Sequence, residues 1–491
     1  MTVLDRRHTG WAIVRGDSAE NELVDLIIGL DGTDGKTAAV YRALRTAIVD
    51  GRLPSGERLP ATRALAADLG VARGSVAAAY ERLAAEGYLS SRVGAGTYVA
   101  ATPSVRSART VNADPLRPRA DWVWEPLETS GTVRKPRYDF RTGIPDAGLF
   151  PFEAWRRLVT AELRLRANNP GTYGEPAGHP ALREAIARYL GVSRGVRTTA
   201  ADVVVTNGAQ HAFDLIARVL VKPGDVVAVE EPGYPPARRI LAALGARVTL
   251  VPVDDQGLVV AELPANCRLV HTTPSHQFPL GRAMSLSRRR ELLDWARARP
   301  AAIVEDDYDS EFRFSARPLE PLHSLDTAGR VLYVGTFSKS MLPAVRTGFV
   351  LATPGLREAL IAARQLGDGY GQPAVQAALA RFLDEGLLAR HVKKATKAYG
   401  ERHARITAAL RTMAGLEVVP SAAGLHVTAL TGAGSTAVVT AAARAGLAVD
   451  DLAGYSGSPT RQGFVFGFGA TDPASIDEGM AVFAGLLARH V

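Results

Sequence analysis

Apolar positions along the chain keep two different rhythms, separated by a stretch that keeps neither. Between Thr37 and Ala100 they recur at helical spacing. A first helix, "TAAVYRALRTAIVDG", closes at Gly51, and "RLPSGERLPATRALAADLGVARGSVAAAYERLAAEGYL" supplies two more joined by a short Gly turn. Thr62 is expected to cap the first of this pair, whose Leu65, Ala66 and Leu69 share one face. The second runs from about Arg73 to Glu86 with Val76, Tyr80 and Leu83 inward, leaving Arg73 and Ser75 at its exposed start. "YLSSRVGAGTYVA" then alternates as a short hairpin does, with Gly94 and Gly96 at the tip.

Residues 101–137 hold Pro, Arg and Ser without period, the pattern of a linker. From Tyr138 onward, short β-branched runs alternate with helical patterns: 203–206, 226–231, 268–273, 301–307, 330–335 and 348–352. Such alternation predicts an α/β unit with a mostly parallel sheet and ligands at the carboxyl ends of its strands. The chain therefore divides into an extension (1–36), a compact helical domain with a β wing (37–100), a linker (101–137) and a large α/β domain (138–491). The extension contains "ELVDLIIGLD", which reads as an extra strand.

Length and composition narrow the class. A chain of 491 residues suggests two or three domains, and 47% hydrophobic with 22% charged residues is the balance of a soluble globular protein. No apolar run of membrane-spanning length and no secretory core at the amino terminus occur, so the cytoplasm is expected. Cys267 stands alone, which rules out an intrachain disulfide and reads as a buried structural thiol. No metal site is expected. The net charge of +8 permits a polyanionic partner without locating it, because the excess is spread: eight Arg against five acids in 37–100, seven basic residues against four acids in 101–137, and the rest in the long carboxy-terminal part.

The chemistry at two places is more specific. In a helix-turn-helix the second helix enters the major groove with its first residues at the base edges, where Arg73 and Ser75 would stand. "GRLPSGERLPATRALAADLGVARGSVAAAYERLAAEGYLSSRVGAGTYV" closely resembles the winged helix of GntR-type transcription regulators. The resemblance implies a double-stranded DNA operator as partner, contacts from Arg63, Arg73, Ser75 and the wing near Arg92 and Gly96, and Arg58 on phosphate.

The second place is "YVGTFSKSMLPAVRTGF", where Lys339 follows an apolar strand and precedes another apolar run. A solvated lysine is almost wholly protonated at neutral pH, whereas desolvation and a nearby cation release a nucleophilic amine able to condense with an aldehyde. Upstream, Asp306 ends an apolar strand, where a carboxylate could hold a pyridine nitrogen protonated, and Tyr308 follows as a donor to a phenolate oxygen. Amides at Gly208, Ala209 and Gln210 open a helix after a strand, a place for phosphate, and Tyr234 can stack on a planar ring. Thr336, Ser338 and Arg346 can complete the phosphate cage.

Together with "FRTGIPDAGLFP", "YGEPAGHPALREAI", "TPSHQFPLG" and "EDDYDSEF", these residues resemble fold type I pyridoxal-phosphate enzymes of the aspartate aminotransferase class, and within it the MocR subfamily fused to a GntR winged helix. The resemblance implies pyridoxal 5'-phosphate as cofactor, a small α+β subdomain, Lys339 as the cofactor-linking lysine and the roles just given for the other residues. It also implies a homodimer in which Tyr173 reaches the phosphate of the partner subunit. Two departures point away from complete transamination. Phe278-Pro279-Leu280-Gly281 replaces Asn-Pro-x-Gly, leaving His276 and Gln277 as substitutes for the missing amide, and the substrate-carboxylate arginine falls near Val465, with Arg461 close but off the position. The expected function is a regulator that senses an amine, an amino acid or the cofactor itself; a working aminotransferase carrying a DNA-binding domain is the alternative.

Overall fold

The computed structural model describes residues 11–14, 26–29, 35–92, 95–100, 136–164, 172–314, 320–458 and 461–490. Most of the expected linker, and Gly94 at the wing tip, lie outside the described residues. The chain forms two compact units, Met1–Arg117 and Pro118–Val491.

In the first unit, Trp11–Val14 and Leu26–Gly29 pair antiparallel, so the expected strand in the extension is present. Three helices follow, Lys36–Val49, Thr62–Leu69 and Arg73–Ala85, closed by an antiparallel sheet ordered Arg58–Leu59, Gly96–Val99, Leu89–Arg92. Leu44, Leu65, Val76, Leu83 and Val99 fill the core. The turn between the second and third helices depends on Gly70, whose φ of 62° is one that L side chains avoid. Thr62 is corrected here: it is already the first helical residue, and Ala61 is the cap, without a side-chain hydrogen bond. The reason lies further along the chain. Tyr80 donates its hydroxyl to the Pro60 carbonyl at 2.9 Å, holding the chain so that the ladder begins at the Ala61 carbonyl, one residue early.

The second unit has two sheets. The larger runs in the order Gly257–Leu258, Arg247–Asp254, Val226–Glu231, Cys267–Thr272, Ala302–Asp307, Val331–Thr336, Gly348–Leu351, Val203–Thr206. Five consecutive strands, from Arg247–Asp254 to Val331–Thr336, are parallel, and Gly348–Leu351 is antiparallel to both neighbours. Helices such as Ala209–Leu220 and Leu286–Arg297 cover its faces with separate apolar clusters. The smaller sheet orders Leu416–Val418, His426–Thr431, Gln462–Gly467, Leu447–Asp451, Tyr138–Phe140, and packs on the helices Leu387–Arg411 and Ile476–His490.

Candidate functional site

On the first unit, Arg58, Arg63, Arg73 and Arg92 are exposed and Ser75 is half-buried. Arg73 is the first residue of its helix, where backbone N–H groups lack helical partners and the helix dipole favours an anion. Gly96 has φ +115°, and a Cβ there would meet Arg58 Nε at 2.9 Å, so the wing needs glycine for the Arg58 side chain to lie across it. Arg92 lies over the Tyr98 ring at 5.2 Å, which directs the wing cation without neutralising it. Exposed guanidinium groups are the kind that meet a phosphate backbone.

The second unit encloses a cavity of about 890 Å³ where its two sheets meet. One end is a candidate anion seat, a helix start beside a guanidinium. Gly208, φ 83°, lets the chain turn into the Ala209–Leu220 helix, and a Cβ on it would come within 3.2 Å of Arg346 Nη2. Arg346 itself has φ 46°, the only left-handed non-glycine among the described residues, and its Nη2 donates to the Asn207 carbonyl at 2.9 Å. Such a backbone is held only where its surroundings dictate it. Ala209, Gln210, Thr336 and Ser338 line the cavity beside it, with Thr336 Oγ1 donating to Ser338 Oγ at 3.0 Å.

Lys339 and Asp306 face the same space. The Lys339 ammonium donates to the Gly143 carbonyl at 2.6 Å; burial lowers its pKa against the pull of Asp309 and Asp306, and Arg346 lowers it further. Asp306 is buried. Its Oδ2 lies 3.5 Å from His271 Nε2, while Oδ1 is buried without a hydrogen-bond partner. Burial raises the Asp306 pKa. An orphaned carboxylate oxygen of this kind is costly unless a ligand group completes it. A buried amine, an uncompleted carboxylate and an anion seat together fit pyridoxal 5'-phosphate: an aldehyde, a pyridine nitrogen and a phosphate. The protein binds this cofactor.

The remaining sequence-predicted residues divide. Tyr308 lines the cavity; burial raises its phenol well above the ordinary range, so it stays a donor. Tyr234 also lines it, taking a 3.3 Å hydrogen bond from Gln210 and meeting Phe278 edge-on at 5.8 Å. Tyr173 does not line its own chain's cavity; it is 92% exposed and touches Tyr370 edge-on. His276 and Gln277 sit behind the wall, and Phe278 takes their place on it. Gln277 donates to the Pro232 and Phe278 carbonyls and accepts from the Leu280 amide, bracing the loop. His276 Nδ1 is 3.0 Å from both Asp309 Oδ1 and the Tyr308 hydroxyl, and its ring stacks on Tyr308. It therefore orients Tyr308 rather than lining the space beside it. Arg461 donates to the Val253 carbonyl, and Val465 is fully buried.

Several lining residues were given no role in the sequence, although Thr142 and Gly143 lie inside "FRTGIPDAGLFP". Thr142, Gly143, His426, Asp450 and Tyr455 are contributed by the small sheet and the segment leading from it. Asp309 was within reach, two residues after the stretch that named Asp307's strand, inside "EDDYDSEF". His276, Asp309 and His426 bring ligand-type atoms within 4.8 Å of one another, but hydrogen bonds to Asp309 and to the Pro279 carbonyl account for both rings.

Residues 139–449 match the family of class I and II aminotransferases, and residues 36–99 match the gntR family of bacterial regulatory proteins. The chain is 36% identical over 466 residues to the probable rhizopine catabolism regulatory protein MocR of Rhizobium meliloti, covering 93% of this chain and 94% of that one. It is 35% identical over 456 residues to the pyridoxine biosynthesis transcriptional regulator PdxR of Corynebacterium glutamicum, covering 92% and 96%. Among solved structures it resembles an archaeal alanine:glyoxylate aminotransferase with TM-score 0.69 and 26% identity, over 73% of this chain and 92% of that one. A kynurenine aminotransferase of Pyrococcus horikoshii gives TM-score 0.67 and 28% identity over 72% and 91%.

Proposed function

The chain belongs to the MocR branch of GntR-type transcription regulators, a winged helix joined to an aminotransferase-like unit, and we propose that it couples the state of the Lys339 amine to operator binding. The domains of this reading are 37–100 and 138–491. The observation that carries it is the pairing, in a chain with a winged helix, of a buried amine with an uncompleted buried carboxylate in one cavity.

Bound there, the cofactor supplies an aldehyde reactive toward amines on an electron-accepting ring. The residues do the rest. Asp306 Oδ1 would accept a proton-bearing ring nitrogen, Tyr308 would donate to the ring oxygen, and Tyr234 would cover the ring. Gly208, Ala209, Gln210, Thr336, Ser338 and Arg346 would hold phosphate, each charge-assisted bond contributing about 1.5–3 kcal/mol. Lys339, kept short of solvent and beside Arg346, would give up its proton more readily than a surface lysine. An effector amine acts on DNA binding only through different affinities for two arrangements of the protein.

A homodimer completes the reading: Tyr173, 92% exposed, would serve the phosphate of a second copy, and two wings would then meet paired half-sites. No described helix is long and apolar enough to cross a membrane, and a DNA partner supports the cytoplasm as its place. Fluorescence anisotropy on the operator tests the DNA half. Arg73→Ala should weaken specific binding by about 1–3 kcal/mol, and unchanged affinity would remove Arg73 from the interface. The aminotransferase reading is tested by turnover: many cycles with an amino acid and an α-keto acid would favour an enzyme. Val465, at the position of the substrate-carboxylate arginine, favours the regulator.

A further inference from the structure

The wall that the small sheet gives to the cavity has an inverted charge. Val465 stands fully buried among Val253, Leu280, Val419 and Leu452, and its register partner on the neighbouring strand is Asp450. Direct partners in an antiparallel pair point to the same face. Where an arginine would receive a carboxylate, this chain therefore has an apolar side chain beside an acid.

Asp450 lines the cavity. Its Oδ2 accepts from the Thr142 amide at 3.0 Å, the Thr142 hydroxyl at 2.7 Å and the Tyr455 hydroxyl at 2.8 Å. Its Oδ1 receives no hydrogen bond among the described residues. Both oxygens of a carboxylate accept, so an acceptor remains for a ligand. Nearby His426 brings no cation: it is buried, its Nε2–H serves the Pro279 carbonyl, and burial holds its pKa well below the ordinary value. Asp451, the next residue on the strand, is spoken for elsewhere: its Oδ1 accepts from the Ser435 hydroxyl and the Ala453 amide, and its Oδ2 from the Thr436 hydroxyl. The two anchors adjoin along the chain. Gly143 takes the Lys339 ammonium and Thr142, the residue before it, holds Asp450, and all four line one cavity.

We propose that the effector is a short primary amine whose second polar group donates a hydrogen bond, a diamine or an amino alcohol, seated on Asp450 Oδ1, and not an amino acid. This deepens the effector-site reading above and rests on it. A ligand carboxylate at that wall would face Asp450, a like-charge juxtaposition that discriminates against it. Arg239 also lines the cavity and already has an interaction of its own.

Calorimetric titration of the full-length holo protein with 1,4-diaminobutane, 4-amino-1-butanol and 4-aminobutanoate isolates the second group on a constant chain. The diamine or the amino alcohol is expected to bind at least about tenfold more tightly than the amino acid. Asp450→Asn should narrow the diamine's advantage by about tenfold, with far-UV circular dichroism reporting that the fold is kept. Parity of diamine and amino alcohol would mean that the donor is read; a diamine advantage would mean that its charge is read. Equal or tighter binding of 4-aminobutanoate would overturn the proposal and make Arg239 the carboxylate partner. It is equally overturned if Asp450→Asn leaves the diamine unaffected or if none of the three binds. Failure of the underlying reading looks different: added pyridoxal phosphate would then produce no visible absorption band.

Discussion

The two walls of the cavity are built by different means. The large-sheet wall is made of strand ends and a helix start: Asp306 is the next-to-last residue of Ala302–Asp307, Thr336 closes Val331–Thr336, and Gly208 opens Ala209–Leu220. Main-chain geometry places these groups, and a strained Arg346 locks them. The small-sheet wall is made of side chains, Asp450, His426 and Tyr455, hung on hydrogen bonds to Thr142 and Pro279. A wall fixed by backbone suits a cofactor that never changes. A wall fixed by side chains can be altered one residue at a time, and ligand choice can diverge there without disturbing the rest.

That contrast can be broken by substitution. Lys339→Ala should abolish the visible absorption band after pyridoxal phosphate is added, the largest effect of all, because among the described residues no other lysine lines the cavity. Asp306→Asn removes the charge of an uncompleted buried acceptor and should weaken cofactor retention by about 10- to 100-fold in equilibrium dialysis. Arg346→Gln should cost about tenfold in the same measurement, and inorganic phosphate should then compete less well.

Proton linkage gives a smaller effect. Lys339 has a folded-state pKa below its ordinary 10.5. Between the two values the unfolded chain holds the extra proton, so the stability of the apo protein rises with pH across that window, by about 1.4 kcal/mol per unit of separation. Below the window the burial cost is present in full. Urea denaturation should therefore show Lys339→Met more stable than the parent near neutral pH, with the gap closing as pH approaches 10.5. On the other wall, Tyr455→Phe deletes one of three bonds to Asp450 and should change diamine affinity by only about 0.5–1.5 kcal/mol. A loss as large as that from Asp306→Asn would erase the distinction between the walls.

Legibility in the sequence follows the same division. Asp306, Lys339 and the Gly208 turn can be read because each ends or begins an apolar run, and the six expected strands lie within about one residue of those observed. Arg247–Asp254 escapes because polar and half-buried positions and Pro252 interrupt its alternation at the thinner side of the sheet. Thr62 misled because capping chemistry is local while the start of its helix is set by Tyr80, far along the chain. His276 and Gln277 look like ring contacts in a linear string, yet their side chains are committed to Asp309, Tyr308 and main-chain carbonyls. Asp450 could not be anticipated at all. It becomes part of the cavity only when Leu447–Asp451 pairs with both Gln462–Gly467 and the distant Tyr138–Phe140.

The grip of Lys339 on the Gly143 carbonyl ties chemistry to chain continuity. Gly143 lies three residues past Tyr138–Phe140, the first described strand after the segment leading from the winged helix. An amine that changes partner must release that carbonyl, and the freed peptide is then left to find a new donor at the very entrance of the reactive half.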